Sequence, residues 1–419
     1  MSFLITNCRI FDGESPELIE GMSVLIEGNK ISRIEPDLPA PDGTTTLDAR
    51  GKTLIPGLID VHWHSMFCFW PVSKVMSSDF GLLSIHAAKA AGQTLMRGFT
   101  TVRDVGGNCF PIAKATDAGV IDGPRVYPSG AYLSQTSGHG DFRGPLDVPA
   151  NDDTPLDYIQ RTGHTLVADG VPEVIKRTRE VLRMGATQIK TMAGGGVTSL
   201  YDYLDVSEYT FEELKAIVDV AKTWNTYVAA HIFTDDAIQV AIRAGIKSIE
   251  HGNLIEKKET LQMMRDSDAW LSAQPILNDE DALKFEDPFS TQKFLTVTDG
   301  TDRTYTLAKE VGVNIAFGTD CLFDPDSMVR QGKMLAKLTR WFSPYEALKM
   351  ATHDNAQLVK LCGPRDPYPG ELGVVKVGAL ADLILVEGNP LENLDLVSDA
   401  ATNFAMIMKD GKVYKNTLS

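Results

Sequence analysis

The stretch Leu58-Ile59-Asp60-Val61-His62-Trp63-His64 carries both the first fold signal and the first chemical signal of this 419-residue chain. Its apolar run has the length of a buried β-strand, and two histidines one residue apart stand at its end. Side chains alternate along an extended chain, so both imidazoles point to the same side. Two such imidazoles can chelate one divalent ion. A His-x-His pair also occurs in many strands without a metal, so this pair alone does not establish a site.

Seven further apolar runs of strand length follow, and helical patterns such as residues 212–224 and 235–244 separate several of them. Together with residues 58–62, the runs comprise residues 99–105, 125–129, 187–192, 226–232, 247–251, 270–274 and 313–317. Eight strands alternating with helices predict an α/β fold in which a parallel sheet closes into a (β/α)8 TIM barrel. An open doubly wound sheet is less suitable, because no Gly-x-Gly-x-x-Gly turn follows the first run.

Both ends of the chain consist instead of short apolar strands broken by turn residues. These strands are predicted at residues 3–11, 22–26, 31–34, 373–378, 382–386 and 405–408. The shared texture predicts one small β-sandwich domain built from both chain ends. We therefore expect the sandwich to comprise residues 1–54 and 366–419 and the barrel to comprise residues 55–365. The acidic, proline-interrupted segment 275–301 is expected to be a long loop over one mouth of the barrel.

The composition is that of an ordinary globular chain, with 43% hydrophobic and 23% charged residues. Lys and Arg number 40 against 56 Asp and Glu, which gives a formal net charge of -16 at pH 7. Such a charge disfavours a surface for nucleic acid or for an anionic membrane, because both would repel it. A small-molecule partner is the expectation that remains.

The five cysteines are widely separated and contain no Cys-x-x-Cys pair, so neither a disulfide framework nor a thiolate zinc cage is predicted. The first residues lack the basic region and long apolar core of a signal peptide. No apolar run reaches the ~18 residues that a membrane helix needs. These features predict a soluble protein of the cytoplasm.

Polar side chains stand at the ends of several predicted strands, where TIM barrels carry their chemistry. Besides the first histidine pair, they are Lys190, His231, His251 and Asp320. Each has an ordinary alternative, since a single histidine is more often a core or loop residue and Asp320 can cap a helix. An ammonium group on Lys190 would be repelled by a divalent ion. A carbamate formed from Lys190 and carbon dioxide would instead be an anionic oxygen ligand able to bridge two metals.

The chain resembles the amidohydrolase superfamily over almost its whole length. The resemblance rests on Ile55-Pro56-Gly57-Leu58-Ile59-Asp60-Val61-His62-Trp63-His64, Gln188-Ile189-Lys190, Ala230-His231, Ile249-Glu250-His251-Gly252-Asn253 and Phe317-Gly318-Thr319-Asp320, in this order. Two further segments resemble the imidazolonepropionase-like branch with its bacterial prolidases, Xaa-Arg/Lys carboxypeptidases and ochratoxin-hydrolysing amidases. They are the Gly194-Gly195-Gly196 loop and the segment from Leu133 to Arg143.

The resemblance implies a binuclear metal centre. His62, His64 and Asp320 would hold one divalent ion, His231 and His251 the other, and carbamylated Lys190 would bridge both. Such enzymes use a metal-bridging hydroxide, and the resemblance implies that Asp320 is also the catalytic residue that takes and returns its proton. Imidazole, carbamate and carboxylate ligands suit two Zn²⁺ ions, although manganese, cobalt or iron can occupy the same shell.

The predicted activity is hydrolysis of an amide bond in a dipeptide or an N-acyl amino acid. Hydrolysis of a lactone, carbamate or urea, or deamination of a cyclic amidine, is the alternative on the same machinery. A non-catalytic scaffold is the remaining alternative, because fold alone does not determine function. Relatives are commonly homo-oligomers, so the resemblance also implies self-association.

Four residues are candidates for substrate binding. The resemblance implies that His139 contacts the carboxylate or carbonyl oxygen of the substrate, unless it is simply a loop histidine bonded to Asp141. Phe233 replaces a tyrosine of the related peptidases and cannot donate a hydrogen bond to a carboxylate. Arg143 and Tyr201 are candidates for orienting a polar group. An aromatic cluster can form an apolar leaving-group pocket or belong to the core; its members are Trp63, Met66, Phe67, Phe69 and Trp70.

Overall fold

The computed structural model describes residues 2–144, 146–147, 155–199, 201–324 and 326–418. The strands are β1 (Ser2–Ile10), β2 (Ile19–Glu27), β3 (Lys30–Glu35), β4 (Thr45–Asp48), β5 (Thr53–Pro56), β6 (Leu58–Trp63), β7 (Phe99–Asp104), β8 (Arg125–Pro128), β9 (Tyr132–Ser134), β10 (Thr165–Val167), β11 (Ile189–Met192), β12 (Val228–Thr234), β13 (Ser248–Leu254), β14 (Trp270–Ser272), β15 (Asn314–Ile315), β16 (Leu383–Val386), β17 (Phe404–Lys409) and β18 (Lys412–Asn416). The α-helices are α1 (Val72–Ser77), α2 (Phe80–Met96), α3 (Phe110–Asp117), α4 (Tyr158–Arg161), α5 (Val171–Met184), α6 (Phe211–Thr223), α7 (Asp235–Ala244), α8 (Lys258–Asp266), α9 (Pro288–Val311), α10 (Gln331–Lys337), α11 (Pro344–Lys349), α12 (Asn355–Lys360) and α13 (Ala400–Asn403).

The middle of the chain contains two parallel sheets, ordered β6-β7-β8 and β10-β9-β11-β12-β13-β14-β15. Each of the eight predicted runs overlaps one of these strands, which confirms the α/β prediction. The three-residue strands β9 and β10 are too short to form a recognisable apolar run. Backbone hydrogen bonds link the two sheets, since Thr187 N, just before β11, donates to Pro128 O of β8 at 2.8 Å and Val61 N of β6 donates to Phe317 O, just after β15, at 3.2 Å.

Local sequence explains where the helices between the strands begin and end. Helix α6 starts with a capping box between Thr210 and Glu213. Helix α7 carries two aspartates in its first turn and ends at Gly245, which adopts φ 101°. Both helices confirm the predictions at residues 212–224 and 235–244. Among the described residues, no helix combines the length and the apolar character needed to cross a membrane.

Strands from both chain ends form one eight-stranded sheet, ordered β18-β17-β16-β5-β1-β2-β3 with β4 beside β1. The ends meet where β16 runs antiparallel to β5. The strand predicted at residues 373–378 is wrong. This segment is a loop in which Gly373 and Gly378 adopt φ values of 72° and 92°, outside the extended region.

The prediction of a loop for the whole of residues 275–301 is also wrong, because helix α9 begins at Pro288. Asp287 caps this helix, with its carboxylate accepting from Ser290 N at 2.6 Å. Phe294 and Val297 are buried on the side that faces the rest of the protein. Only residues 275–287, hereafter the covering segment, lack regular structure, and several of them line the cavity described below.

Candidate metal centre

The carboxyl ends of the parallel strands bring all six side chains predicted to bind metal into one cavity. These six residues, hereafter the metal rim, are His62, His64, Lys190, His231, His251 and Asp320. The four histidines and the lysine are buried, and the aspartate is partly buried. Five separate strands therefore contribute to one cluster of ligand-type side chains that no single stretch of sequence contains.

The Asp320 carboxylate lies between two imidazoles of the metal rim. Its Oδ1 atom is 3.3 Å from Nε2 of His62 and 3.3 Å from Nε2 of His64. This oxygen is buried and has no hydrogen-bond partner within the described part of the chain. Ligand atoms of His62, His251 and Asp320 all lie within 4.8 Å of one another. A buried carboxylate oxygen without a proton donor, facing ring nitrogens, fits a divalent cation.

His231 and His251 form a second pair of adjacent rings, with centroids 4.3 Å apart. Burial holds the pKa of both rings well below the ordinary value, so they are neutral and retain the lone pair that a metal requires. Nδ1 of His251 lies 2.7 Å from Oε1 of Gln274 and donates to it. This contact places the ring proton on Nδ1 and leaves Nε2 as the ligand atom.

Lys190 lies in β11 among these groups and is buried. Burial lowers its pKa to about 8, although the nearby carboxylates of Glu250 and Asp320 act in the opposite direction. A substantial fraction of the side chain is therefore neutral amine near pH 8. The neutral amine is the form that reacts with carbon dioxide.

Glu250 contacts His62 of the metal rim, and the sequence did not identify it as a site residue. Its Oε2 lies 2.8 Å from Nδ1 of His62, and its Oε1 accepts from Nη2 of Arg103 at 2.6 Å. Burial alone would raise the pKa of Glu250, but the Arg103 charge and the His62 contact hold it well below the ordinary value. The ionised carboxylate keeps the His62 proton on Nδ1 and turns Nε2 toward Asp320. The available signal was a charged residue inside an apolar strand, directly before His251.

Two rim residues adopt backbone conformations that residues other than glycine rarely occupy, His251 at φ 75° and Asp320 at φ 52°. Each costs on the order of 1–3 kcal/mol and persists only where surrounding contacts impose it. For Asp320 these contacts include the neighbouring Thr319 hydroxyl, which donates to Asp60 at 2.6 Å. A β-carbon at Gly318 would lie 2.4 Å from Cβ of His62, so the chain approaches β6 this closely only with glycine.

His139 also lines the cavity, and its ring stacks on His231 at a centroid distance of 4.2 Å. Its Nδ1 lies 2.7 Å from the Ser199 hydroxyl. The alternative of a bond to Asp141 is not what the structure has, because Asp141 accepts from Arg143 at 2.7 and 2.6 Å. His139 is thus held in the cavity beside His231 of the metal rim.

The other three predicted substrate residues are placed differently. Phe233 lines the cavity and stacks on His251 at 5.0 Å. Arg143 does not line the cavity, because its guanidinium forms a bidentate salt bridge with the Asp141 carboxylate. Tyr201 is 47% exposed and also lies outside the cavity lining. The sequence could not show this, because both side chains depend on loop conformation.

The walls of the cavity are largely apolar. Of the predicted aromatic cluster only Phe67 contributes, because Trp63 and Met66 are buried in the core and Phe69 and Trp70 pack beside it. The remaining apolar lining includes Tyr132, Phe142, Met192, Val197, Ile276, Leu277, Leu283, Phe285, Phe294, Leu322, Phe323 and Met334. Many of these side chains come from the covering segment and from α9.

Buried histidines, a carboxylate and a lysine at the carboxyl ends of parallel strands are a donor set that suits divalent cations and is typical of metal-dependent hydrolases. Residues 53–415 match the amidohydrolase family, and the chain belongs to this family. It is therefore an enzyme that hydrolyses C–N bonds, from a superfamily that typically binds divalent metals.

Relatives and solved structures agree with this assignment. The chain is 33% identical to the ochratoxinase of Aspergillus niger over 388 residues, which cover 87% of this chain and 76% of that protein. The crystal structure of a prolidase in complex with N-methylphosphonate-L-proline is 33% identical, with a TM-score of 0.91 and full coverage of both chains. The crystal structure of an amidohydrolase is 34% identical, with a TM-score of 0.92 and full coverage of both chains.

Proposed function

We propose that the protein is a binuclear metal-dependent hydrolase of amide bonds in dipeptides or N-acyl amino acids. The observation that carries this proposal is the convergence of six ligand-type side chains on one cavity, with Asp320 Oδ1 buried and without a hydrogen-bond partner among the described residues. The similarity to a prolidase and to an ochratoxinase supports amide substrates.

The donor set fits two divalent cations. His62, His64 and Asp320 would hold one, His231 and His251 the other, and a carbamate on Lys190 would bridge them. The nitrogen and oxygen donors suit Zn²⁺. When bound, the ions would supply Lewis acidity toward the substrate carbonyl and would lower the pKa of water toward neutrality.

The protein groups around this centre have separate tasks in the proposed reaction. Asp320 accepts the proton of the attacking water and returns it to the departing amine, because its carboxylate lies between the rim histidines. His139 contacts the substrate oxygen from its position beside His231. The apolar cavity excludes water and strengthens these electrostatic contacts.

The apolar lining favours a substrate with a bulky apolar or aromatic group. The covering segment and α9 supply Leu277, Phe285 and Phe294 to this lining. Phe233 stands where the related peptidases have a tyrosine, so no phenol is available there to bind a terminal carboxylate. We therefore favour N-acyl aromatic amino acids and apolar dipeptides as substrates, with weaker recognition of the free carboxylate than in strict prolidases.

We further propose that the two parallel sheets are halves of one closed (β/α)8 barrel of residues 55–365, and that residues 1–54 and 366–419 pack as a small sandwich. The backbone hydrogen bonds at Pro128 and Phe317 support the closure, because they join β8 to the start of β11 and β6 to the segment after β15. The pairing of β5 with β16 supports a single terminal domain.

The test combines elemental analysis with a substrate panel of N-acyl aromatic amino acids, Xaa-Pro, Xaa-Arg, ureas and lactones. We expect two ions per chain, loss of turnover on chelation, and amides as the best substrates. Lys190→Ala should lower turnover by about 1,000-fold or more, with partial recovery on adding a short carboxylic acid. The control is Lys257→Ala, whose ammonium is at the surface. One ion per chain, or full activity in Lys190→Ala, would refute the binuclear centre.

A further inference from the structure

The imidazole of His139 is enclosed on both faces. On one face lies the ring of His231, at 4.2 Å and nearly parallel. On the other lies Gly196, where a β-carbon would be 2.0 Å from Cε1 of His139 and where the three nearest atoms all belong to that ring. The position of the ring therefore depends on the absence of a side chain at residue 196.

The edge of the same ring is held by two polar side chains of the loop that follows β11. Nδ1 of His139 lies 2.7 Å from the Ser199 hydroxyl and 3.6 Å from Oδ2 of Asp202. Because these groups occupy Nδ1, the atom left for a substrate is Nε2. The partner of one ring nitrogen sets the proton position and the orientation of an imidazole.

Asp202 is itself fixed in place. Its side chain is 2% exposed, and its Oδ2 accepts from Gly196 N at 2.6 Å. Its second oxygen, Oδ1, is buried without a hydrogen-bond partner in the described part of the chain. Burying a carboxylate oxygen without a hydrogen bond lowers the free energy of unfolding. Stability alone therefore does not explain an aspartate at this position.

Lys293 holds the loop to α9. Its buried ammonium donates to the carbonyl oxygens of Gly196, Ser199 and Asp202 at 2.5, 2.6 and 3.2 Å. The same helix supplies Phe294 to the cavity wall. Gly196, Ser199, Asp202 and Lys293, hereafter the His139 cradle, thus form one connected unit that joins His139 to the helix behind the covering segment.

We infer that Asp202 is a positioning residue that acts through His139, with the His139 cradle aiming Nε2 at the substrate oxygen. This inference rests on the proposed function, because it assumes that His139 contacts the substrate. Misplacement of a contact by about 1 Å can cost on the order of 100-fold in rate, so the cradle residues affect turnover without touching substrate or metal.

Double-mutant cycles test the inference. Asp202→Asn keeps the volume and an acceptor for Gly196 N, whereas Gly196→Ala pushes the ring directly. Each is expected to lower kcat/KM on the order of 100-fold, mainly in kcat, at unchanged metal content. In the His139→Ala background the ring is gone, so either change should then alter kcat/KM by less than about twofold. Gly92→Ala is the control, because a β-carbon there meets only ordinary contact at 3.5 Å.

The outcomes distinguish failure of the inference about Asp202 from failure of the proposed function. Equal losses from Asp202→Asn in both backgrounds would show that its effect does not pass through His139 and would overturn the inference. Wild-type activity of Asp202→Asn beside an impaired His139→Ala would overturn it as well. Wild-type activity of His139→Ala would refute the substrate contact of His139 in the proposed function. Thermal unfolding of each variant checks its fold, and Gly196→Ala carries the test if Asp202→Asn does not fold.

Discussion

The metal rim and the His139 cradle are held in different ways. Each rim residue stands in or just after a strand, and the strands are joined by regular backbone ladders. In the cradle, three carbonyl oxygens of the loop after β11 accept hydrogen bonds from one ammonium group, that of Lys293 in α9. Strands place the groups proposed to hold metals, while side-chain hydrogen bonds between loops and α9 place the residue proposed to contact the substrate.

This difference predicts different responses to substitution. Damage to the support of the metal rim should affect metal binding and global stability together, because the rim is part of the buried sheets. Damage to the cradle should affect turnover and local stability while the metals stay bound.

Glu250→Gln should have the largest effect on stability. It removes the negative partner of Arg103, which is fully buried, and breaking such a pair costs about 3–5 kcal/mol. It also removes the carboxylate behind His62, which should weaken metal binding by about 10–100-fold. Urea unfolding of the metal-free protein and competition with a chelator measure the two effects separately.

Glu256→Gln is the matched control, because Glu256 forms a surface pair with Arg303 at 2.9 Å. An exposed pair contributes about 0–1 kcal/mol, so this variant should unfold near the wild-type midpoint. If Glu250→Gln were as stable as Glu256→Gln and bound metal normally, the support of the rim by buried charges would be disproved.

The metal rim could be predicted because its signal is local. Each ligand stands at the end of an apolar run, as His231 and His251 do, and parallel strands bring such ends together whatever the loops between them. Glu250 was missed for a related reason: it lies one residue before the end of the predicted run 247–251, and its partner Arg103 is 147 residues away. Pattern along the chain identifies strand ends but not the pairs that form between strands.

The cradle and the walls could not be predicted, because their contacts join loops with no periodic pattern. Lys293 donates a hydrogen bond to Gly196 O, 97 residues earlier in the chain, and no sequence pattern in either segment predicts this contact. The start of α9 is the exception, since Asp287-Pro288 with buried residues at helical spacing was a usable signal. The apolar run at residues 373–378 failed because glycine conformation overrode it.

Glu208→Gln should change the pH dependence of stability on the cradle side. Burial and the Asp202 charge raise the pKa of Glu208 to about 9, although it accepts from His139 N at 2.7 Å. The folded protein therefore keeps a proton that the unfolded chain releases near pH 4.3. This contribution is fully present below that pH and is lost as the pH rises toward 9, so removing the carboxyl should flatten the curve.

Between pH 5 and 8 the wild type should lose at least about 2 kcal/mol more unfolding free energy than Glu208→Gln, as measured by urea denaturation. Glu212→Gln, at an exposed position, should follow the wild-type curve. Metal content should not change in either variant, because Glu208 accepts its hydrogen bond from His139 N and not from the metal rim. Parallel curves for the wild type and Glu208→Gln would show that Glu208 is ionised in the folded state.

Phe233→Tyr should have the smallest effect. Phe233 lies in β12 and lines the cavity. A phenol would add one donor for a substrate carboxylate, and part of its benefit would offset the burial of the hydroxyl. We expect about 1 kcal/mol, or roughly fivefold in kcat/KM, in favour of an N-acyl aromatic amino acid over its carboxamide. Phe289→Tyr, outside the cavity lining, should leave this ratio unchanged. An unchanged or lower ratio in Phe233→Tyr would mean that the substrate carboxylate does not lie near β12. Any preference for a free carboxylate over a carboxamide would then have to come from residues of the loops that line the cavity.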